Sequence, residues 1–209
     1  QSAAVKAGQG MVTQAELLSA QEKAEAAQAA IQTNEKEMDA LRRELCVMTG
    51  WSYDARPDIQ EIVVPDSGEV DSIDLAADKE RAKTTNYTQA ANERRLKYTG
   101  VGNQYDVMER KVESGRRQIE ADVEAKYKLL KQAQADYDQT RGELELAVRN
   151  AQAAERRYSL GTISRNEYLQ QRDGLASKQS SNDVAGLRFR QAMEDYRWSV
   201  NGLAQTEGA

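Results

Sequence analysis

Two nine-residue stretches of this chain, 151 positions apart, match residue class for residue class. They are residues 10–18 (GMVTQAELL) and residues 161–169 (GTISRNEYL). Each has a Gly, a β-branched residue two positions on, a hydroxyl residue three on and a Glu six on. A self-match at a fixed separation indicates that one structural unit occurs twice. The repeat therefore predicts two equivalent local structures, and it constrains the fold more than any other feature of the sequence.

Both stretches carry the signals of a tight turn between two helices. Residues 13–16 (TQAE) and 164–167 (SRNE) are capping boxes, in which the hydroxyl and the Glu side chain each accept a backbone N–H of the first turn. Gly10 and Gly161 stand just before them, where a preceding helix ends on a left-handed residue. Each motif thus predicts the tip of an antiparallel helical hairpin.

The composition favours long helices over a thick globular core. Charged residues make up 30% of the chain and hydrophobic residues 39%, with only two prolines and a mean hydropathy of -0.81. This profile is typical of coiled coils, which bury narrow seams. A net charge of -5 disfavours nucleic acid as a partner, because phosphate binding needs a basic face.

Apolar residues recur every seven positions in three segments, as in a coiled-coil seam. In residues 13–49 the two files are Leu17, Ala24, Ile31, Met38, Leu45 and Ala20, Ala27, Asn34, Leu41, Met48. In residues 104–158 the file is Val123, Leu130, Tyr137, Leu144, Ala151, Tyr158, and after the second turn it is Tyr168, Leu175, Asn182, Phe189, Tyr196, Leu203. Gly50 and Gly202 are the predicted helix stops. The first two rods would be about 55 and 80 Å long, at roughly 1.5 Å per residue.

Breaks in these patterns divide the chain into six predicted segments. They are a first tip hairpin of a short stub and an ascending helix (1–50), an irregular segment with both prolines and one short strand at 62–64 (51–71), a second stacked helix (72–99), a linker (100–103), a second hairpin of a long helix, a tip and a shorter helix (104–204), and a tail (205–209). The long helix exceeds its hairpin partner in length. We therefore expect it to be flanked by two stacked shorter helices, one of them within 72–98. Close approach of a second helix would account for the mid-helix glycines Gly115, Gly142, Gly174 and Gly186.

The sequence offers little chemistry. It contains no His and a single cysteine, Cys46, so no His-based nucleophile–base pair and no internal disulfide can form. It has no glycine-rich phosphate loop, no run of 18 apolar residues and no signal peptide. Since the chain starts at Gln1, we expect a mature or trimmed product. We predict that the protein is not an enzyme and holds no cofactor and no metal.

The motifs of the second hairpin resemble a known family. Residues 158–164 (YSLGTIS), 167–169 (EYL), Tyr196 and 200–202 (VNG) are similar to the last helical hairpin of the TolC-like outer membrane efflux proteins. Residues 10–50 are similar to the matching hairpin in the first repeat of that family, and the likeness covers residues 4–204. The sequence departs from the family in two places: it has only the linker 100–103 where the family has the β-strands of its membrane barrel, and only a stub at 1–9 for the first long helix. The strands would then be absent naturally or have been removed.

The resemblance implies an all-α fold of long antiparallel coiled-coil hairpins, which in the trimer form a hollow α-barrel with residues 51–71 at its equator. It implies a non-enzymatic conduit for tripartite efflux or type I secretion. The tips would dock a periplasmic adaptor (membrane fusion) protein and, through it, an inner-membrane pump. The chain would lie in the cell envelope, as the periplasmic portion of an outer-membrane protein, or outside the cytoplasm in a cell without an outer membrane.

The resemblance also assigns roles to the turns. The docking residues would be Gly10, Met11, Val12, Thr13, Leu160, Gly161, Thr162, Ile163 and Ser164, and the pore gate would be Glu16, Tyr158 and Glu167. Other interpretations of these residues stay open. Each Glu can serve only its capping box, Tyr158 can pack in the seam, and the apolar tip residues can form a hydrophobic staple across the cap.

A different class of function also fits the sequence, namely a non-channel coiled-coil structural or interaction protein, such as an adaptor hairpin or a spacer bundle. A spacer should repeat rods of equal length without an excursion at 51–70. An adaptor hairpin should be flanked by lipoyl-like β segments. Neither feature is seen in the sequence.

Overall fold

The structure is a computed structural model that describes residues 14–58 and 63–204, and every regular element within them is helical. The elements are α1 (Gln14–Thr49), α2 (Ser67–Asp71), α3 (Leu75–Thr85), α4 (Tyr87–Tyr98), α5 (Asn103–Ser159), α6 (Arg165–Trp198) and a π-helical turn (Ser199–Leu203). The all-α prediction is confirmed. The short strand expected at 62–64 is not found, since Val63 and Val64 are irregular and residue 62 lies outside the described ranges.

The chain divides into two units, residues 1–60 and residues 61–209. In the first unit α1 ends at Thr49, and Gly50 adopts the left-handed conformation predicted for it, with φ of 73°. The loop that follows returns over the helix end: the Trp51 amide donates to the Cys46 carbonyl over 2.9 Å, and the Cys46 thiol lies 3.6 Å from the carbonyl oxygen of Ala55. The predicted seam of α1 is exposed along much of its length, at Ile31, Met38, Leu41 and Met48.

The second unit is built around α5, which has 57 residues and is therefore about 85 Å long. No other helix in the described residues is long enough to cover it alone. α6 has 34 residues, or about 50 Å, and α3 and α4 together cover about 35 Å. The long helix is thus packed along its length by two shorter partners placed end to end, as the sequence predicted.

Contacts along α5 show that both partners run antiparallel to it. From the turn downward, Tyr158 pairs with Tyr168 and Tyr137 with Phe189. Beyond the end of α6, Lys79 of α3 forms an ion pair with Glu124 and Lys83 with Glu120. Further on, the Gln89 side chain of α4 donates to the carbonyl of Val112 over 3.1 Å. The partner numbers on α5 fall from 124 to 112 as the numbers on α3 and α4 rise from 79 to 89.

The core lies at the point along α5 where the packing helix changes from α6 to α3. Its fully buried members include Ile119, Val123 and Leu130 of α5 and Phe189 of α6, each with 0% exposure. α6 also contributes Met193 and Tyr196, and the rest of the unit contributes Val70, Ala82, Val200 and Ala204. Most α5 and α6 members come from the files predicted at sevens. This junction concentrates the apolar burial of the unit.

A side-chain cap divides the helix that was predicted as continuous over 72–98. Asn86 has extended backbone angles, and its side-chain oxygen accepts the Gln89 N–H over 2.9 Å to start α4. Its side-chain nitrogen donates to the carbonyls of Gly202 and Ala204 over 3.1 and 3.0 Å. Asn86 is therefore a buried staple that ties the α3–α4 break to the end of the hairpin.

Two of the four mid-helix glycines are explained by close approach. A Cβ at Gly115 would lie 2.4 Å from the side-chain oxygen of Gln89, and one at Gly186 would lie 2.9 Å from a methyl of Val64. Nothing in the described residues lies within 4 Å of a Cβ at Gly142 or Gly174. For these two the structure gives no reason.

Two further expectations are corrected. Residues 67–71, placed in the irregular segment, form the short helix α2, because Asp66 caps it by accepting the Gly68 N–H. Leu203, placed in the seam, is exposed because Gly202 adopts φ of 105° and turns the chain off the helix.

We expect the ion pairs between α3 and α5 to make stability depend on acid pH. Hydrogen bonds from Lys128 and Lys79 lower the pKa of Glu124 from 4.5 to about 2. A lowered carboxylate pKa stabilises the fold above the unfolded value and loses that effect as pH falls toward the folded value. The urea midpoint of unfolding should fall as pH is lowered from 5 to about 2. This fall should be smaller in Glu124→Gln than in the parent. Glu145 forms no ion pair in the described residues, so Glu145→Gln should show the same fall in midpoint as the parent. If the midpoint falls equally with pH in both variants, the pH dependence does not come from the Glu124 ion pairs.

Candidate partner-binding turn

The turn between α5 and α6 begins with a helix end of the Schellman type. The amide of Thr162 donates to the carbonyl of Arg157 and that of Gly161 to the carbonyl of Tyr158, each over 2.9 Å. Gly161 has φ of 70°, so the left-handed residue stands where the sequence predicted it. The Thr162 hydroxyl also donates to the Arg157 carbonyl over 2.9 Å. These bonds satisfy carbonyls at the end of the long helix and reverse the chain within a few residues.

The turn ends in the predicted capping box. The Ser164 hydroxyl accepts the Glu167 N–H over 3.2 Å, and the Glu167 carboxylate accepts the Ser164 N–H over 2.7 Å. This bond to the backbone lowers the pKa of Glu167 below its ordinary value. The carboxylate therefore stays ionised and is directed at its own helix end.

An aromatic pair joins the two helices directly below the turn. The rings of Tyr158 and Tyr168 are stacked, with centroids 4.9 Å apart and planes within 7°. The guanidinium of Arg172 lies 5.9 Å from the centre of the Tyr168 ring. Stacked aromatic pairs add about 0.5–1.5 kcal/mol beyond the area that they bury. The pair thus fixes the spacing of the helices at the point where the turn begins.

The surface of the turn is apolar at its apex and basic at its sides. Leu160 is 77% exposed, and Gly161 and Thr162 are exposed beside it. Ile163 is half-buried and borders a hollow of about 330 Å³ between the helices. The flanking cations Arg156, Arg157 and Arg165 are exposed and form no ion pair within the described residues. The turn can therefore offer an apolar contact within a cationic rim.

One of the two predicted turns lies within the described residues. Leu160, Gly161, Thr162, Ile163 and Ser164 are contiguous at this apex, and Tyr158 and Glu167 lie directly beneath it. The predicted docking residues of the other turn, Gly10, Met11, Val12 and Thr13, lie outside the described residues. Glu16 falls in α1, but its side chain is also outside the described part. The assignments to docking and gating remain predictions.

Sequence reasoning missed the contributions of Tyr168 and Arg172. Tyr158 and Tyr168 are equally distant from Ile163, the centre of the reversal, and in an antiparallel hairpin such positions face each other. Arg172 is one helical turn beyond Tyr168, where side chains on a helix are neighbours. The spacing could have identified both.

A second polar cluster is buried at the other end of α6. The Tyr196 hydroxyl donates to the Asp78 carboxylate over 2.6 Å, and Arg81 forms an ion pair with the same carboxylate. Burial and this hydrogen bond raise the pKa of Tyr196 far above its ordinary value. The Ser199 hydroxyl donates to Asp122 over 2.8 Å nearby. Since each of these side chains has a partner, the cluster serves to join α3, α5 and α6.

The described residues contain no group of three or more His, Cys, Asp or Glu side chains that could hold a metal ion. Among the helices of residues 14–58 and 63–204, none combines the length and the hydropathy needed to cross a bilayer.

Comparisons of this chain with models of protein families, with curated proteins and with solved structures found no match in any of the three.

Proposed function

We propose that this chain forms part of the wall of a TolC-like α-barrel conduit, in which helical turns dock an adaptor protein in tripartite efflux or type I secretion. The conduit would be a homotrimer in the cell envelope. Its role is passage and gating, not catalysis.

The observation that carries the proposal is that different shorter helices pack against successive parts of α5. A helix of about 85 Å is followed by a sharply capped turn, and it is covered by α6 and, beyond the end of α6, by α3 and α4. A plain spacer bundle would use rods of equal length. This length pattern was expected from the rod lengths in the sequence, and it supports the conduit over the spacer.

One face of the α5–α6 hairpin is open to a neighbouring helix. A groove of about 650 Å³ runs between the two helices, and it is bordered by Leu129, Ala133, Val184 and Ala185. Small residues such as alanine let a further helix approach closely. Val64 and Tyr137 of the same unit lie against Gly186 of α6, and neither borders the groove. We assign the groove to a helix of a second copy in the conduit wall.

Docking would centre on Leu160. Apolar residues presented within a polar rim are the usual form of an interaction hot spot. The cationic rim of Arg156, Arg157 and Arg165 calls for a partner hairpin with carboxylates around an apolar centre. The capping box and the stacked tyrosines hold this surface in one conformation, which reduces the entropy lost on binding.

We predict that Leu160→Asp weakens binding to an adaptor hairpin by about tenfold or more, since a hot-spot truncation costs on the order of 2 kcal/mol. The measurement is a titration of the purified protein with the hairpin domain of a periplasmic adaptor from the same organism. Because Leu160 is exposed, the variant should keep the thermal unfolding curve of the parent.

The matched control is Gln152→Asp, which introduces the same charge at an exposed site of α5 about two turns away. It should bind as the parent does. If Leu160→Asp also binds normally, the assignment of this turn to docking is wrong.

A further inference from the structure

The loop that joins α4 to α5 forms a second exposed end of the unit. It consists of residues 99–102, and it is closed by bonds from the Thr99 amide to the Leu96 carbonyl and from the Tyr105 amide to the Gly102 carbonyl. The Thr99 hydroxyl donates to the Arg95 carbonyl over 2.8 Å. We call residues 94–111 the α4–α5 end.

Apolar and aromatic side chains at this end are directed into solvent. Val101 at the apex is fully exposed, Tyr98 is 84% exposed, and Val107 is 58% exposed. Tyr87, eleven positions before Tyr98, is on the same face of α4 and is also exposed. None of these tyrosines makes a ring contact within residues 14–58 and 63–204. Their rings are thus available, unlike the stacked tyrosines at the other turn.

The same end is basic in a chain that is acidic overall. It carries five cations, Arg94, Arg95, Lys97, Arg110 and Lys111, against two anions, Asp106 and Glu109, for a net charge of +3. The whole chain has -5. All five cations are exposed, and none forms an ion pair within the described residues. Arg110 donates only to the Asp106 carbonyl of its own helix.

The cations are placed close behind the apolar apex. Arg94 is four residues before Tyr98, or about 6 Å along α4, and Lys111 is about 12 Å from the start of α5. These spans are comparable to the screening length of about 8 Å at physiological salt. A surface that meets Val101 would therefore also attract these side chains.

From this arrangement we infer that the α4–α5 end docks on the surface of an anionic lipid bilayer. An aliphatic apex enters the headgroup region, tyrosines lie at the interface, and Lys and Arg meet lipid phosphates. Nucleic acid could pair with the cations, but it fits this end less well than a bilayer does, because Val101 would stay in water. The inference stands apart from the proposed function, which rests on the opposite end of α5.

The test is flotation of the purified protein with lipid vesicles, either of phosphatidylcholine alone or of phosphatidylcholine mixed with phosphatidylglycerol. The parent should float with the mixed vesicles, bind poorly to the neutral ones, and lose binding as salt is raised. Lys97→Glu should lower the partition coefficient about fivefold or more, because one basic residue near a charged membrane contributes about that factor. Val101→Asp should also lower it, because it replaces the apolar apex with a charge that anionic lipids repel.

Leu160→Asp at the other turn is the matched control and should bind vesicles as the parent does. Equal binding to both vesicle types, binding to neither, or a loss caused by Leu160→Asp in place of Val101→Asp would overturn the inference. Preference for a single-stranded oligonucleotide over the mixed vesicles would also overturn it. Because Val101 and Lys97 are exposed, unchanged unfolding curves should show that the variants remain folded.

Discussion

Phe189→Ala should lower the free energy of unfolding by about 3–5 kcal/mol, which is the range for removing a fully buried aromatic side chain. Phe189 has 0% exposure and is the largest of the fully buried side chains in the described residues. Its ring stacks on Tyr137 with centroids 5.9 Å apart. It lies at the junction where the helix packed against α5 changes from α6 to α3. A cavity there would weaken the packing of these helices on α5.

Urea unfolding followed by circular dichroism measures this loss, and Leu187→Ala is the control. Leu187 is two positions away in α6 and is 49% exposed, so its truncation should cost less than about 1 kcal/mol. Similar losses for the two variants would show that the junction is not the main source of stability.

Gly202→Ala should also destabilise strongly, by about 2–4 kcal/mol, for two additive reasons. Gly202 has φ of 105°, which is strained for any residue with a side chain. A Cβ there would lie 2.7 Å from the carbonyl oxygen of Thr85, which is backbone and cannot swing away. Moving this segment would also break the bonds that Asn86 donates to the carbonyls of Gly202 and Ala204.

A Gly→Ala substitution in the middle of α5 should raise the free energy of unfolding, whereas Gly202→Ala lowers it. Nothing in the described residues lies within 4 Å of a Cβ at Gly142, and this residue is helical. Gly142→Ala should therefore stabilise the protein by about 0.5–1 kcal/mol through helix propensity. Thermal unfolding of both variants checks the pair. A stabilising effect of Gly202→Ala would mean that the hydrogen bonds from Asn86 to residues 202 and 204 do not fix the end of the hairpin.

The parts of the fold that depend on periodicity could be predicted from the sequence. The files at sevens placed Leu130, Phe189 and Tyr196 in the core, and all three are buried. The left-handed Gly161 and the capping box at Ser164 followed from local rules that need no tertiary information. The mismatch in rod lengths predicted that two stacked helices would cover α5.

The features that sequence reasoning missed depend on contacts between segments far apart in the chain. Asn86 breaks a run of helical composition because carbonyls 116 and 118 positions away offer its amide partners. Glu120 forms its ion pair with Lys83 of α3, which is 37 positions away in the chain. The stacking of Tyr158 on Tyr168 is a different case, because the equal distance of both residues from Ile163 could have identified it from the sequence.

The central claim is that these helices wall a hollow conduit. Electron microscopy of the protein expressed from its own gene and purified with the cell envelope tests it most directly. The account predicts a threefold ring of helices around an open lumen, with the α5–α6 turns gathered at one end. Single copies, or a solid helical bundle without a lumen, would contradict it.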